Sequence, residues 1–178
     1  MGVFLVISLW SSRSFWRETV VAVRQPTLPA ATAYRVDSRL LASAPVSTST
    51  RPVRLPTSVN LAVPFLAQAP RQNWDLPYQE ACEEASMIMV DAYLAGRVTA
   101  FAADEGDRAI LKLVHFETEQ GLEADLTAKQ VSELIPTYFA QREARVIQRP
   151  TIEAIRRLLA QAIPDIVPAY GKALQNPN

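Results

Sequence analysis

The chain has 178 residues, 49% of them apolar, with 18 basic and 18 acidic side chains. That is ample apolar material for one globular core. The single cysteine, Cys82, excludes an internal disulfide.

The charge balance is uneven. Residues 1–59 carry seven arginines against Glu18 and Asp37, for +5, whereas residues 60–178 carry eleven basic and sixteen acidic side chains, for −5. Those arginines are dispersed and no lysine accompanies them, so no basic patch forms and nucleic acid is not expected as a partner. Val3 to Trp10 (VFLVISLW) is apolar but too short to span a bilayer, which takes roughly 20 residues. It has two readings: the remaining half of a membrane anchor or signal, or an ordinary apolar tail or strand. The first makes the chain membrane-tethered or exported in a bacterium, and the second leaves it cytoplasmic. The arginines that follow the run disfavour export of the C-terminal side.

Residues 1–24 thus form an apolar N-terminal segment. Residues 25–58 hold five prolines and many Ala, Ser and Thr without a sustained apolar period, and read as an extended linker. The compact domain spans 59–178. Val59 to Leu66 is a short β-rich run that Pro64 confines to a sheet edge. From Cys82 the pattern is helical, with Ala85, Ile88, Met89 and Ala92 on one face, Glu83, Glu84 and Asp91 off it, and Gly96 as the stop. A second helix is expected from Asp104 to Gln120 on Ile110, Leu113 and Val114, with Gly121 after it. Thr127 and Gln130 make a capping box for a third helix that Pro136 ends or kinks. Ala144 to Ile147 reads as a strand. Thr151 caps a fourth helix with Ile152, Ile155, Leu158 and Leu159 turned inward. Asp165 to Tyr170 reads as a last strand. The order implies an α+β fold, a helical half followed by an incomplete antiparallel sheet with one open edge.

Cys82 is the first candidate for chemistry. It follows a loop rich in Pro, Gln and Trp and precedes the apolar stripe, so it sits where a helix begins, and a helix N-terminus favours a thiolate. The plainer alternative is a small buried apolar residue. Glu83 and Glu84 act against the thiolate. Gln68, Gln72 and Gln79 precede the cysteine, and a Gln amide with the nucleophile's own N–H can hold an oxyanion. Spacing alone does not rank the three. Trp74 is placed to wall a groove or to pack as a lid. The one histidine, His115, lies in a different helical pattern, so no base is supplied with the nucleophile. One His and one Cys make no zinc site, and the glycines never cluster into a phosphate loop, so no cofactor is expected.

The segments VPFLAQAP and NWDLPYQEACEEASMIMV resemble the start of bacterial domains related to the bacteriocin-processing (peptidase C-thirty-nine-like) enzymes, which are papain-like cysteine peptidases. AILKLVHF, LTAKQVSELI, PTIEAIRRLLAQ and DIVPAYGKALQNPN follow in the order that resemblance requires, and together they cover residues 60–178. The resemblance implies a papain-like fold, Cys82 as nucleophile and Gln68 as oxyanion-hole donor, acting on a peptide or peptide-like substrate through a thioester. In that family the catalytic histidine opens a strand after the segment matched here by IVPAYGKALQNPN, and an Asp or Asn orienter comes later. His115, Asn176 and Asn178 match neither. The chain is therefore expected to be an N-terminal fragment of such a hydrolase, inactive as it stands. A further departure is Ala162–Ile163 before Pro164, where the family often has a Gly-containing turn. A non-catalytic peptide- or cell-envelope-binding module is the alternative, and a plain helical interaction domain with a buried Cys82 is a third.

Overall fold

The computed structural model describes residues 29–34 and 55–168. Val3–Trp10, Asn176 and Asn178 lie outside the described residues. Among the described residues, four α-helices follow one 3-10 turn at Tyr78–Glu80: α1 Cys82–Leu94, α2 Ala103–Glu119, α3 Ala128–Tyr138 and α4 Ile152–Ala160. No helix among the described residues is long and apolar enough to cross a membrane.

The expected papain-like α+β fold with an antiparallel sheet is not what forms. Among the described residues there is no sheet, only one parallel bridge between Thr32 and Leu61. Ala144–Ile147 and Asp165–Pro168 are irregular, and Val59–Leu66 contributes Leu61 alone. The physical reason is that β propensity is realised through cross-strand partners, and these runs make no backbone hydrogen bonds with one another. The helices do not need such partners, because their caps are local. At α3 the Thr127 side chain accepts from the Gln130 amide and Gln130 accepts from Thr127 N–H, the full capping box. At α4 the Thr151 hydroxyl accepts from Ala154 N–H at 3.1 Å. Pro136 does not end α3, which continues to Tyr138.

The core forms where α1 packs on α2. Ala85, Met87 and Ile88 of α1 meet Ile110 and Leu113 of α2, with Leu66, Leu126, Val131 and Leu134 closing the cluster. The buried α2 positions are Gly106, Ile110, Leu113 and Glu117, a 4-3-4 spacing that makes one stripe. Tyr138 packs on Phe116 and Phe139, with ring centroids at 5.1 and 4.7 Å. By contrast α4 buries no residue, and Ile152, expected inward, is 78% exposed.

Residues 29–34 fall inside the stretch read as linker, yet they are attached to the domain. Thr32 N–H donates to Asn60 O at 2.8 Å, Ala62 N–H to Thr32 O at 2.9 Å, and the Asn60 amide to Pro29 O at 3.0 Å. Tyr34 sets its ring edge-on to buried Tyr93, centroids 5.6 Å apart. Six residues can dock in this way because backbone hydrogen bonds require no apolar period. Ala162 has φ +60°, a left-handed position that a glycine occupies without strain, and its carbonyl receives the Tyr93 hydroxyl at 3.4 Å.

Two acids interrupt this core. Glu84 is 1% exposed and Glu117 is 3% exposed, although Glu84 was expected to face away from the core. Their carboxyl groups meet between α1 and α2 and share a hydrogen bond. Two carboxylates cannot form one, so the contact requires a proton. Burial, then the bond to Glu117, pushes Glu84 from 4.5 up to about 9, and burial raises Glu117 as well. The folded chain therefore holds a proton that the unfolded chain releases. The stability this contributes is complete below pH 4.5 and is lost as pH rises toward about 9. The melting temperature should accordingly fall between those limits, and Glu84→Gln, whose amide donates at every pH, should flatten the profile. A pH-independent melting temperature in the unsubstituted chain would refute the shared proton.

A second close contact fixes the loop ahead of α1. A Cβ on Gly106 would overlap Leu66 Cδ1 and stand 3.5 Å from Pro70 Cγ. Leu66 is buried and has little room to turn. Overpacking of this kind costs about 1–3 kcal/mol, against about 1 kcal/mol that alanine adds in a helix. Gly106→Ala should therefore lower stability in urea unfolding, and an increase would show that this contact yields freely.

Candidate functional site

Cys82 is the first residue of α1 and is exposed, as the loop-then-stripe pattern implies. The turn before it is held from two sides. The Gln68 amide donates to Tyr78 O at 2.8 Å and to Gln79 O at 2.9 Å. The Tyr78 hydroxyl donates to Asp107 of α2, and Arg71 bridges Asp107 at 3.5 Å and Asp104 at 2.7 Å. The loop that carries Cys82 is thus tied to the start of α2, beside the Gly106–Leu66 contact.

Gln68 stands near the nucleophile's turn, but both of its amide hydrogens are used on those two carbonyls. In this arrangement it positions the turn, and an oxyanion would have to draw one hydrogen away. Gln79 supplies only its carbonyl to this network. Gln72 occupies the loop with φ +60°. Trp74 is 61% exposed, so it is a candidate groove wall and is not packed on the core.

The electrostatics do not activate the thiol. Cys82 Sγ donates to Glu83 Oε2 at 2.9 Å. Protein packed around the sulfur, then that bond and the charges of Glu83 and Glu84, push the thiol up to about 12. Ala81 offers no capping side chain, and the partial positive charge of the helix start is outweighed. His115 does not compensate. Its side chain is 74% exposed on α2, with Nε2 3.4 Å from Glu119 Oε1. Residues 115 and 117 are about 200° apart around a helix, so with Glu117 facing α1, His115 faces away.

On the thiol's side of α1 the structure opens. Ser86 Oγ donates to Cys82 O at 2.7 Å, one turn further along. Ser86, Met89 and Val90 then form one wall of a largely apolar cavity of about 260 Å³. Leu61 and Val63 line it from one side, and Leu159 with Pro164–Val167 from the other. The α1–α4 side of this cavity escaped sequence reasoning, because α4 was assigned to the core. Glu117 was legible, since it continues the 110, 113, 114 stripe; an acid at that place was passed over. Among the described residues no group of three or more His, Cys, Asp or Glu side chains could hold a metal ion.

Replacing Glu83 should release the thiol in part. In Glu83→Gln the negative charge is gone, and alkylation of Cys82 by iodoacetamide at pH 8 should accelerate about tenfold, one pH unit of pKa. In the unsubstituted chain the rate should still be climbing at pH 10. A plateau below pH 8, followed by intact mass, would show an activated thiolate and contradict this account.

Comparison with known proteins finds no match: no family model, no curated protein and no solved structure corresponds to this chain.

Proposed function

We propose that the chain carries the nucleophile side of a cysteine-peptidase-type site, with Cys82 as the attacking group and a peptide as the substrate. The observation that supports this reading is the placement of an exposed thiol one turn from the apolar cavity that begins at Ser86. A peptide side chain seated there would bring its neighbouring carbonyl to the start of α1. Sγ would then bond to the carbonyl carbon, the C–N bond would break, and the amine would leave with a proton. Water would cleave the thioester to the acid. The Cys82 N–H lies at the helix start, where amides are free to receive the oxyanion.

The same site is at rest in this conformation. A thiol at about 12 leaves roughly one sulfur in 10⁵ ionised at pH 7. No imidazole among the described residues contacts it. That observation favours a second reading, a module that binds peptide and does not cleave it. The two readings share the cavity and differ in turnover.

Capture is tested by attaching one chloroacetyl warhead to a short apolar peptide and comparing it with chloroacetamide. The peptide reagent should label Cys82 at least about tenfold faster, the gain expected from seating one apolar side chain. Leu159→Trp, which fills the cavity, should remove the advantage. Equal rates for the two reagents would overturn the peptide site. Hydrolysis of unmodified peptides near neutral pH should be absent; Cys82-dependent turnover would exclude the binding-only reading.

A further inference from the structure

Residues 29–34 are attached to the domain at two places, and both lead to the cavity that begins at Ser86. The first attachment is backbone. Thr32 N–H donates to Asn60 O and Ala62 N–H donates to Thr32 O, so Thr32 grips the residues on either side of Leu61. The Asn60 amide adds a bond to Pro29 O. Leu61 and Val63 form one side of the cavity.

The second attachment is a pair of rings. Tyr34 stands edge-on to Tyr93, a fully buried residue in the last turn of α1. The Tyr93 hydroxyl donates to Ala162 O at 3.4 Å, in the turn that follows α4. That turn is closed by Ala162 N–H on Leu159 O and Ile163 N–H on Leu158 O, both at 3.0 Å, the paired bonds of a helix end that passes through a left-handed residue. Leu159 enters the turn and Pro164–Val167 leave it, and these residues form the opposite side of the cavity. One short segment thus reaches both walls.

The attachment is slight enough to be undone. Thr32 is exposed, and its bridge to Leu61 is isolated. Three hydrogen bonds and one ring contact work against the conformational entropy of ordering six residues. A segment held on those terms opens without global unfolding. The far wall also has need of it, because α4 buries no residue and relies on tethers of this kind.

We infer that residues 29–34 are a clasp that holds the two walls of the Ser86 cavity in register and so regulates peptide capture beside Cys82. The inference rests on the reading of that cavity as a peptide site. With the clasp closed the walls are preorganised, and a side chain seats without the cost of ordering them. With it displaced, Leu61 and Pro164–Val167 move independently and capture weakens. Thr32 and Tyr34 are positioning residues, since neither lines the cavity.

The test uses the full chain with three substitutions. Tyr34→Ala removes the ring, Thr32→Pro removes the N–H that bonds Asn60 O, and Tyr34→Phe keeps the ring as a control. Carbon-13 methyl signals of Leu61 and Val63 report on one wall, and those of Ile166 and Val167 on the other. Tyr34→Ala and Thr32→Pro should each shift signals from both walls, and Tyr34→Phe should leave them in place. In the same two variants the roughly tenfold advantage of the chloroacetyl peptide over chloroacetamide should fall toward parity. Chloroacetamide, which does not use the cavity, should label Cys82 at an unchanged rate, and helical circular dichroism should be preserved. The two disruptive variants act through different arms of the clasp, so one decides the matter if the other fails to fold. Shifts confined to one wall, or an advantage that survives disruption, would overturn the inference. Equal rates for the two reagents in the unsubstituted chain would defeat the peptide reading and with it the regulatory role, whereas the methyl signals report on the clasp independently.

Discussion

Helix α1 lies against α2 through a contact that holds two carboxyl groups, and the geometry around it follows from how they are accommodated. Glu84 and Glu117 are almost wholly buried, and they can share a hydrogen bond only while one keeps a proton. Two buried charges of like sign would repel at a separation where the low dielectric magnifies the effect. The proton is therefore a structural component of the α1–α2 interface. The face of α1 that carries it is the one turned inward by Ala85, Met87 and Ile88, which leaves the opposite face for Cys82. Residues 82 and 84 are about 200° apart on a helix. Burying Glu84 turns Cys82 outward.

The turn before Cys82 is fixed by a second set of contacts that converge on the start of α2. Gly106 lets Leu66 and Pro70 approach the helix, Tyr78 reaches Asp107, and Gln68 gathers the carbonyls of Tyr78 and Gln79. Each contact is modest alone. Together they hold the nucleophile's turn with groups from three parts of the chain. Through its contact with Leu66 and Pro70, Gly106 takes part in holding the loop that leads to the thiol.

Much of the helical architecture was legible in the residues, for reasons that are local. The capping box at Thr127 and the cap at Thr151 act within one turn, and the α2 stripe repeats often enough to be unambiguous. That the β-rich runs form no sheet among the described residues was not legible, because strand pairing depends on what lies opposite, which no single run reveals. Ala144–Ile147 carries the composition of a strand and finds no partner. Of the candidate site, Cys82 was placed correctly at the start of α1 and exposed. The balance at its thiol was open, since a helix start lowers the pKa and Glu83 and Glu84 oppose it; the surrounding protein, with both acids, raises it. Three opposing effects of similar range cannot be ranked without the distances. Glu84 illustrates the same limit: a charged residue assigned to solvent is buried because an acid on the next helix shares its proton.

The thiol and the buried acid pair sit on different faces of the same helix turn, yet they belong to one electrostatic system. The thiol is raised in part by the charge of Glu84, two residues along the chain. Whatever neutralises Glu84, as the proton shared with Glu117 does, weakens the field at the sulfur. The reverse holds by linkage: a thiolate at Cys82 would make Glu84 hold its proton more firmly. Glu83 contributes to both, since it accepts the thiol's hydrogen bond and adds to the negative potential at Glu117. Cys82 and Glu84 are thus electrostatically linked across the first turn of α1. An account of the thiol that considers only its hydrogen-bond partner would omit the part of its environment that lies in the core.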